Sequence, residues 1–365
     1  MKDKRMQDET KLLWHMDRVI EHFDKGKRIA PLHIDVGIAK FCNSACIYCY
    51  GMFQDIKKGV YIQKAPLLQF MRDAGKVGVK SISIIGDGEP TCNPHFYDAL
   101  YEGKKAGLSL ATSTNGFLLD TPEKRKAILD NCDWMKFTVG AGTREGYKLI
   151  HQRDHFNQVV KNIEAMVKEK KELGSKCDIG MQTIFVPTLM AEEIIEEAKL
   201  AVKLGVDYFL IKQCSLPDKG ESGMMQFDLN DYDKPEIQEA LHKAESYATS
   251  KTDIVVKWGL INQKGKKSYN HCPSIPLILE ISGNGDVFPC GHMFGDKPQF
   301  DKYKMGNLHE DRFKDIINSD RYWNIIKEMR CNFDVQKQCH GNCRMDRTNE
   351  FITNYLDRPM GVNFI

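Results

Sequence analysis

Charge of one sign is the first thing this sequence lacks: 52 Lys and Arg stand against 50 Asp and Glu, a formal charge of +2 over 365 residues. With no excess of basic charge to hold a phosphate backbone, the composition gives no reason to expect nucleic acid as a partner. No apolar stretch approaches the ~18 residues that cross a bilayer. The segment Met1–Glu9 is dense in charge where a secretory signal needs an apolar region. Membrane insertion and secretion are therefore not expected, and a cytoplasmic protein is. Repeats, low-complexity tracts and a clear linker are missing as well. At 42% hydrophobic and 28% charged residues the chain is neither disordered nor fibrous. At roughly 150 residues per domain its length suits one large or two medium domains.

Cysteine is what the sequence has in excess. Twelve stand at positions 42, 46, 49, 92, 132, 177, 214, 272, 290, 331, 339 and 343. In a reducing compartment disulfides explain them poorly, so metal, redox or catalytic work becomes the question. They concentrate in one early triplet and again in the last hundred residues.

Lys11–Phe23 carries Leu12, Leu13, Met16, Val19, Ile20 and Phe23 at amphipathic-helix spacing. Beyond it, six β-branched and apolar runs predict strands: His33–Ile38, Ser81–Ile85, Leu108–Ser113, Trp134–Val139, Ile179–Val186 and Tyr208–Lys212. Helical segments alternate with them at Leu67–Lys76, Pro94–Lys105, Pro122–Asn131, Asn157–Leu173 and Ala191–Leu204. Gly107, Gly174 and Gly205 fall where helix C-terminal glycines belong. The βα alternation predicts a parallel sheet with right-handed crossovers. From about Pro273 the pattern changes to Leu277–Ser282, a Gly283-Asn284-Gly285-Asp286 turn and Val287–Pro289, which predicts a β-hairpin. Short helices follow near Asp311–Ser319 and Tyr322–Arg330. The expected division is an N-terminal helical extension over 1–30, a βα unit over 31–250 and a small second domain over 251–365.

Cys42-Asn43-Ser44-Ala45-Cys46-Ile47-Tyr48-Cys49 is a C-x3-C-x2-C array directly after the first predicted strand, at the carboxyl edge where α/β enzymes place their sites. Structural zinc wants four ligands and usually paired C-x2-C arms. Three soft thiolates on a short loop instead suit three corners of a cubane iron–sulfur cluster, leaving one iron open. A zinc or free-thiol loop is the competing reading. On this motif the sequence resembles the radical S-adenosylmethionine (SAM) superfamily, defined by C-x3-C-x-aromatic-C. The resemblance implies a partial (β/α)6 TIM-like barrel of parallel strands. It implies a [4Fe-4S] cluster held by Cys42, Cys46 and Cys49, with SAM on the open iron and Tyr48 beside the adenine.

Further motifs follow in order. Gly86-Asp87-Gly88-Glu89-Pro90-Thr91 closes the second predicted strand and is similar to the family's G-G-E-P segment, which hydrogen-bonds the SAM amino group; Asp87 replaces the first glycine. Asn115-Gly116 and Thr138 end the third and fourth strands within reach of the SAM ribose or carboxylate, although a plain turn also explains Asn115. Gln182 on the fifth strand joins the cofactor-binding candidates if its register turns it inward. Lys212, closing the sixth strand, and Cys214, following it, are candidate catalytic groups, one for proton handling and one for returning a hydrogen atom. A solvent-facing strand end and a buried small hydrophobe are the competing explanations, and Cys92 is read as Cys214 is.

Cys272, Gly285-x4-Cys290, Cys331 and Cys339-His340-Gly341-Asn342-Cys343 resemble the SPASM/Twitch extension of the same superfamily. With too few cysteines for two auxiliary clusters, the shorter form with one auxiliary [4Fe-4S] is expected, held by Cys272, Cys290, Cys339 and Cys343, with Cys331 as a possible substitute. Four-cysteine zinc is the alternative. The resemblance implies an oxidoreductase that cleaves SAM to a 5′-deoxyadenosyl radical and abstracts a hydrogen atom. Flavodoxin or ferredoxin would be the electron donor. The absence of an N-terminal winged-helix module points to a small polar, carbohydrate or nucleotide-like substrate and to dehydrogenation or epimerisation. A peptide- or protein-modifying enzyme and a non-enzymatic metal-binding module are the alternatives.

Overall fold

The structure, a computed structural model, describes residues 9–49, 57–214, 228–295, 298–339, 343–358 and 360–364. Met1–Asp8 of the charge-dense start and His340, Gly341 and Asn342 of the last motif lie outside the described residues.

Ten strands are formed: β1 His33–Val36, β2 Ser81–Ile84, β3 Ser109–Thr114, β4 Trp134–Thr138, β5 Asp178–Phe185, β6 Tyr208–Gln213, β7 Asp253–Val256, β8 Ile278–Ile281, β9 Asp286–Phe288 and β10 Gly306–Asn307. They make one sheet in the order β10-β9-β8-β1-β2-β3-β4-β5-β6-β7. From β8 through β1 to β7 every pairing is parallel, and β9 and β10 add antiparallel to the edge. The six strands predicted from β-branched runs are all present, each within two residues of its expected ends.

Side-chain alternation decides what this sheet encloses. Ile34, Val36, Ile82, Ile84, Met135, Phe137, Ile179, Met181, Phe209 and Ile211 point outward and are fully buried, each worth about 1.5–3 kcal/mol of burial. The helices that cover them include Lys64–Val77, Phe96–Lys105, Phe156–Leu173 and Pro187–Leu204. The last two end on Gly174 and Gly205, both in the left-handed conformation. The alternate positions, among them His33, Ser81, Ser83, Trp134, Lys136, Tyr208 and Lys212, turn inward and line a cavity of about 430 Å³.

The predicted amphipathic helix over Lys11–Phe23 winds in three ways: a 3-10 segment Glu9–His15, an α-helical turn Met16–Val19 and a π-helical segment Ile20–Asp24. The 3-10 winding advances three residues per turn, so the expected apolar stripe does not stay on one face. Leu12 and Val19 bury against Leu32, Leu277 and Ile352, while Leu13 and Ile20 are exposed. The predicted hairpin is β8–β9, closed by Gly285 N–H to Ser282 O at 2.8 Å with Gly285 at φ 88°. Because β8 pairs with β1, this hairpin and the barrel share one sheet. β7 and the helix Arg144–His151 were not foreseen; both are too short for a periodic signal.

Candidate functional site

The chain leaves β1 across the carboxyl edge and enters the cysteine array through Gly37–Phe41. Two glycines of the Gly86–Thr91 segment exist for this crossing. A Cβ on Gly86 would collide with Gly37 Cα, and one on Gly88 with the carbonyl oxygens of Ala39 and Phe41. Glu89 N–H donates to Phe41 O at 2.9 Å and joins the two segments.

The array is clamped from the other side by the end of the helix Arg144–His151. Ala45 N–H donates to His151 O at 3.1 Å and Ile47 N–H to Ile150 O at 2.9 Å. His151 is fully buried; its Nε2 lies 2.6 Å from Val139 O and its Nδ1 2.9 Å from Cys46 Sγ. With the carbonyl taking the Nε2 proton and burial holding the ring down to about 4, Nδ1 accepts from the Cys46 thiol. Burial pushes the Cys42 thiol up to about 12, helped by the charges of Glu89, Cys49 and Cys92. Cys46 is raised for the same first reason, then by Cys49 and Cys42. Neighbouring thiols raised as Cys42 and Cys46 are become thiolates only when cationic metal supplies the counter-charge. The three thiols of the loop therefore fit three corners of a cluster. No three His, Cys, Asp or Glu side chains among the described residues converge on a single ion. Tyr48 sets its ring edge-on to His151 with centroids 6.3 Å apart, and its hydroxyl is buried.

Glu89 organises the neighbouring loops. Oε1 accepts from Thr91 N–H (3.1 Å), Thr91 Oγ1 (2.7 Å) and Thr114 Oγ1 (2.5 Å), and Oε2 accepts from Asn115 N–H (2.8 Å). Asn115 then donates from Nδ2 to Asn43 Oδ1 at 2.5 Å and stands 3.9 Å from Cys42 Sγ. Asn115 thus closes a turn, as the competing reading held, and also touches the cysteine loop. The Asp87 carboxylate, expected among the cofactor-binding groups, accepts from Gly283 N–H and Ser282 Oγ and pairs with Lys40. That side chain is occupied in tying the Gly86–Thr91 segment to the β8–β9 turn; Pro90 is buried at the start of a 3-10 turn.

Deeper along the strands, Thr138 stands level with Gln182, and Ser113 Oγ is 3.4 Å from Thr138 Oγ1. Gln182 faces inward, where its Oε1 accepts from Lys136 Nζ at 3.1 Å. Lys212 also faces the cavity; removal from water and then the charge of Lys257 hold its ammonium down to about 8. Cys214 is buried beside Tyr232, whose hydroxyl accepts from its backbone N–H at 2.9 Å, and burial pushes the thiol up to about 12.

The second cysteine group forms without Cys331. Cys339 and Cys343 lie within charge range of both Cys272 and Cys290, and burial comes first in raising Cys272, Cys290 and Cys343. Cys331, by contrast, is exposed at the end of the helix Asp320–Cys331. Cys272 is placed by its N–H to Met329 O at 3.1 Å, and Cys339 by its N–H to Val335 O at 3.3 Å. Cys290 lies beside Glu280, whose carboxyl burial raises to about 7. Next to Cys343, Arg344 turns into the barrel, pairs with Asp35 and lies 2.8 Å from His33 Nε2. Four thiols from three stretches of chain fit a fully ligated cluster by the same counter-charge argument.

Residues 36–201 match the radical SAM superfamily, and residues 272–344 match SPASM, an iron–sulfur cluster-binding domain. The chain is a radical SAM enzyme with a SPASM domain. It uses a [4Fe-4S] cluster with SAM in the first part and binds additional iron–sulfur in the second. It is 25% identical over 296 residues, 78% of this chain and 80% of the relative, to the tungsten-containing aldehyde ferredoxin oxidoreductase cofactor-modifying protein of Pyrococcus furiosus. It is 20% identical over 344 residues, 86% and 91% of the two chains, to the AdoMet-dependent heme synthase of Methanosarcina barkeri. Among solved structures, Streptococcus suis SuiB bound to S-adenosylmethionine superposes with a TM-score of 0.62 at 18% identity, over 86% of this chain and 72% of SuiB. Native anSMEcpe with bound AdoMet gives 0.58 at 16% identity, over 91% and 98%. At these identities the two structures establish the fold alone.

His151, Lys136, Lys257 and Arg344 are the site residues that the sequence reading missed. For Lys136 a signal existed: in Trp134-Met135-Lys136-Phe137-Thr138 the apolar residues occupy alternate positions and assign the lysine to the other face. Nothing local marks His151, whose role comes from a helix a hundred residues beyond the cysteines.

Proposed function

We propose that this radical SAM enzyme abstracts a hydrogen atom from a peptide or protein residue presented in the barrel lumen. The observation that carries the reaction is the three-cysteine loop, held at the carboxyl edge of the barrel by the Gly86–Thr91 segment and the end of the helix Arg144–His151, with a second group of four cysteines in the SPASM part of the chain. When bound and reduced by a donor such as flavodoxin or ferredoxin, the cluster with SAM supplies the 5′-deoxyadenosyl radical. Cys42, Cys46 and Cys49 would hold the cluster, and the helix end at Ile150–His151 fixes the loop that carries them. The backbone of Gly86–Pro90, with Tyr48, Asn115, Thr138 and Gln182, would hold SAM. Cys272, Cys290, Cys339 and Cys343 would hold the auxiliary cluster.

Support for a peptide comes from the shared fold: SuiB is solved with the precursor peptide SuiA and anSMEcpe with Cp18Cys and Kp18Cys peptides. A small polar molecule is the second reading, favoured by the lumen, whose 430 Å³ and inward lysines and serines suit a compact polar body. For the domains we propose the division 1–30, 31–250 and 251–365, the last part lending β7 to the edge of the barrel sheet beside β6.

The test uses anaerobically reconstituted enzyme with SAM and reductant, supplied with low-molecular-weight cell extract before and after protease digestion. Stimulation of 5′-deoxyadenosine formation that digestion abolishes supports a peptide, and stimulation that survives digestion transfers the assignment to a small molecule. No 5′-deoxyadenosine under any condition would overturn the radical reaction. Replacement of Cys339 and Cys343 by Ala is expected to leave SAM cleavage while abolishing an oxidised product.

A further inference from the structure

We propose that the side-chain amide of Asn349, on the helix Asp346–Asp357, is a hydrogen-bond donor to the auxiliary cluster at Cys272 and raises that cluster's reduction potential. The proposal rests on the assignment of Cys272, Cys290, Cys339 and Cys343 to an auxiliary cluster. It brings into that site a helix beyond the SPASM match, which ends at residue 344.

Asn349 is fully buried, and its orientation is fixed. Oδ1 accepts from Ser274 N–H at 3.0 Å and from Ser274 Oγ at 2.6 Å. A backbone N–H can only donate, so the amide oxygen faces Ser274 and the NH2 group is turned from it. That Nδ2 is buried with no hydrogen-bond partner among the described residues. A buried donor left unmade costs free energy, and each one in a native structure calls for an explanation.

The chain path puts Cys272 beside this amide. Tyr269 and Ser274 bracket Cys272 in sequence, while Asp346 and Asn349 stand one turn apart on the same helix face. Tyr269 Oη donates to Asp346 Oδ1 at 3.0 Å, and Ser274 donates to Asn349. The segment is thus fastened to the helix on both sides of Cys272. Ile275 N–H donates to Cys272 O at 3.4 Å and turns the segment between the two fastenings. The helix itself begins beside a second cysteine of the group, with Asp346 N–H donating to Cys343 O at 3.3 Å.

The Asn349 amide acts on the Cys272 thiol against burial, in the direction of the thiolate that a cluster ligand becomes. It acts in the same direction on the Tyr269 hydroxyl, which already donates to Asp346. The sulfur of a neutral thiol is a weak acceptor, which leaves the amide without a partner until metal is bound. A donor to a cluster sulfur stabilises the reduced, more negative cluster over the oxidised one. The cluster beside Asn349 is therefore easier to reduce than it would be in an apolar pocket.

The test uses the full-length chain with Cys42, Cys46 and Cys49 replaced by Ala, reconstituted anaerobically and labelled with nitrogen-15 in the asparagine side-chain amides. About four irons per chain are expected in it. Pulsed EPR of the reduced cluster is expected to show a weakly coupled nitrogen-15. The coupling is expected to vanish in Asn349→Asp, which keeps an acceptor for both Ser274 donors. Redox titration is expected to give a lower midpoint in Asn349→Ala, by several-fold in the one-electron equilibrium, where tenfold corresponds to ~59 mV. The midpoint is expected to be unchanged in Tyr355→Phe, which removes a tie of the same helix to Asp24. No coupling in the parent chain, coupling that persists in Asn349→Asp, or an unmoved midpoint in Asn349→Ala overturns the proposal and leaves Asn349 as a tie to Ser274 and Tyr269. If Asn349→Ala fails to fold, the couplings in the parent and in Asn349→Asp decide. Absence of iron from the parent chain overturns the auxiliary-cluster assignment itself, whereas iron without the coupling overturns the role of Asn349 alone.

Discussion

Two buried carboxylates show how single residues hold this site. Glu89 spends both oxygens on four donors, and a glutamine there would turn an amide group toward backbone or hydroxyl donors. Glu89→Gln is expected to lose roughly 1–3 kcal/mol in denaturant unfolding, and to load less iron because Asn115 loses its brace. Glu197 accepts from Gly140 N–H at 3.1 Å and from Thr183, and burial raises its carboxyl to about 8. It therefore binds more proton folded than unfolded between its ordinary range near 4.5 and about 8. Its contribution to stability is complete below that window and declines as pH rises through it. Glu197→Gln is expected to flatten this part of the stability–pH profile, read by thermal unfolding across pH 4.5–9.

At the scale of elements, the cysteine loop is a strand-to-helix connection gripped by other connections. The β2 exit packs under it through glycines, and the end of the helix Arg144–His151 hydrogen-bonds it from the opposite side. A methyl group at Gly88 meets carbonyl oxygens that belong to the path into the loop and cannot move without moving the loop. Gly88→Ala is therefore expected to cost about 1–3 kcal/mol and to lower iron incorporation, as measured by iron per soluble chain. Gly107→Ala tests the contrast. Gly107 has a positive φ but open space around it, so its cost is expected to stay near 1 kcal/mol with iron content unchanged.

For the whole molecule, the single sheet joins the barrel to the SPASM hairpin, and ion pairs lock the two. Asp73, on the barrel helix Lys64–Val77, is fully buried and receives Arg312 Nη2 at 2.6 Å and Gln69 at 2.9 Å. Arg312→Ala is expected to destabilise the whole chain in one transition by roughly 1–3 kcal/mol. A separate early transition would show that the two parts unfold independently. With the cysteine groups disjoint, Cys42→Ala is expected to remove about four irons and to end SAM cleavage. Cys272→Ala should remove about four others and spare it. Iron and acid-labile sulfide per chain, measured with 5′-deoxyadenosine formation, check both.

The sequence alone settled the parallel strands, because buried β-branched runs between amphipathic helices leave few other arrangements. It also settled the cofactor class, because Cys42, Cys46 and Cys49 stand close enough on the chain for local spacing to report their geometry. The hairpin at Gly283–Asp286 was legible for the same reason. Only the tertiary structure showed that this hairpin pairs with β1, that Asp87 serves it, and that Cys331 lies apart from the four cysteines grouped in the SPASM domain. It alone brought His151 to Cys46 and three lysines from separate strands into one cavity. Those relations depend on strand register and barrel closure, which set distances between residues far apart in the chain and leave no trace in local pattern.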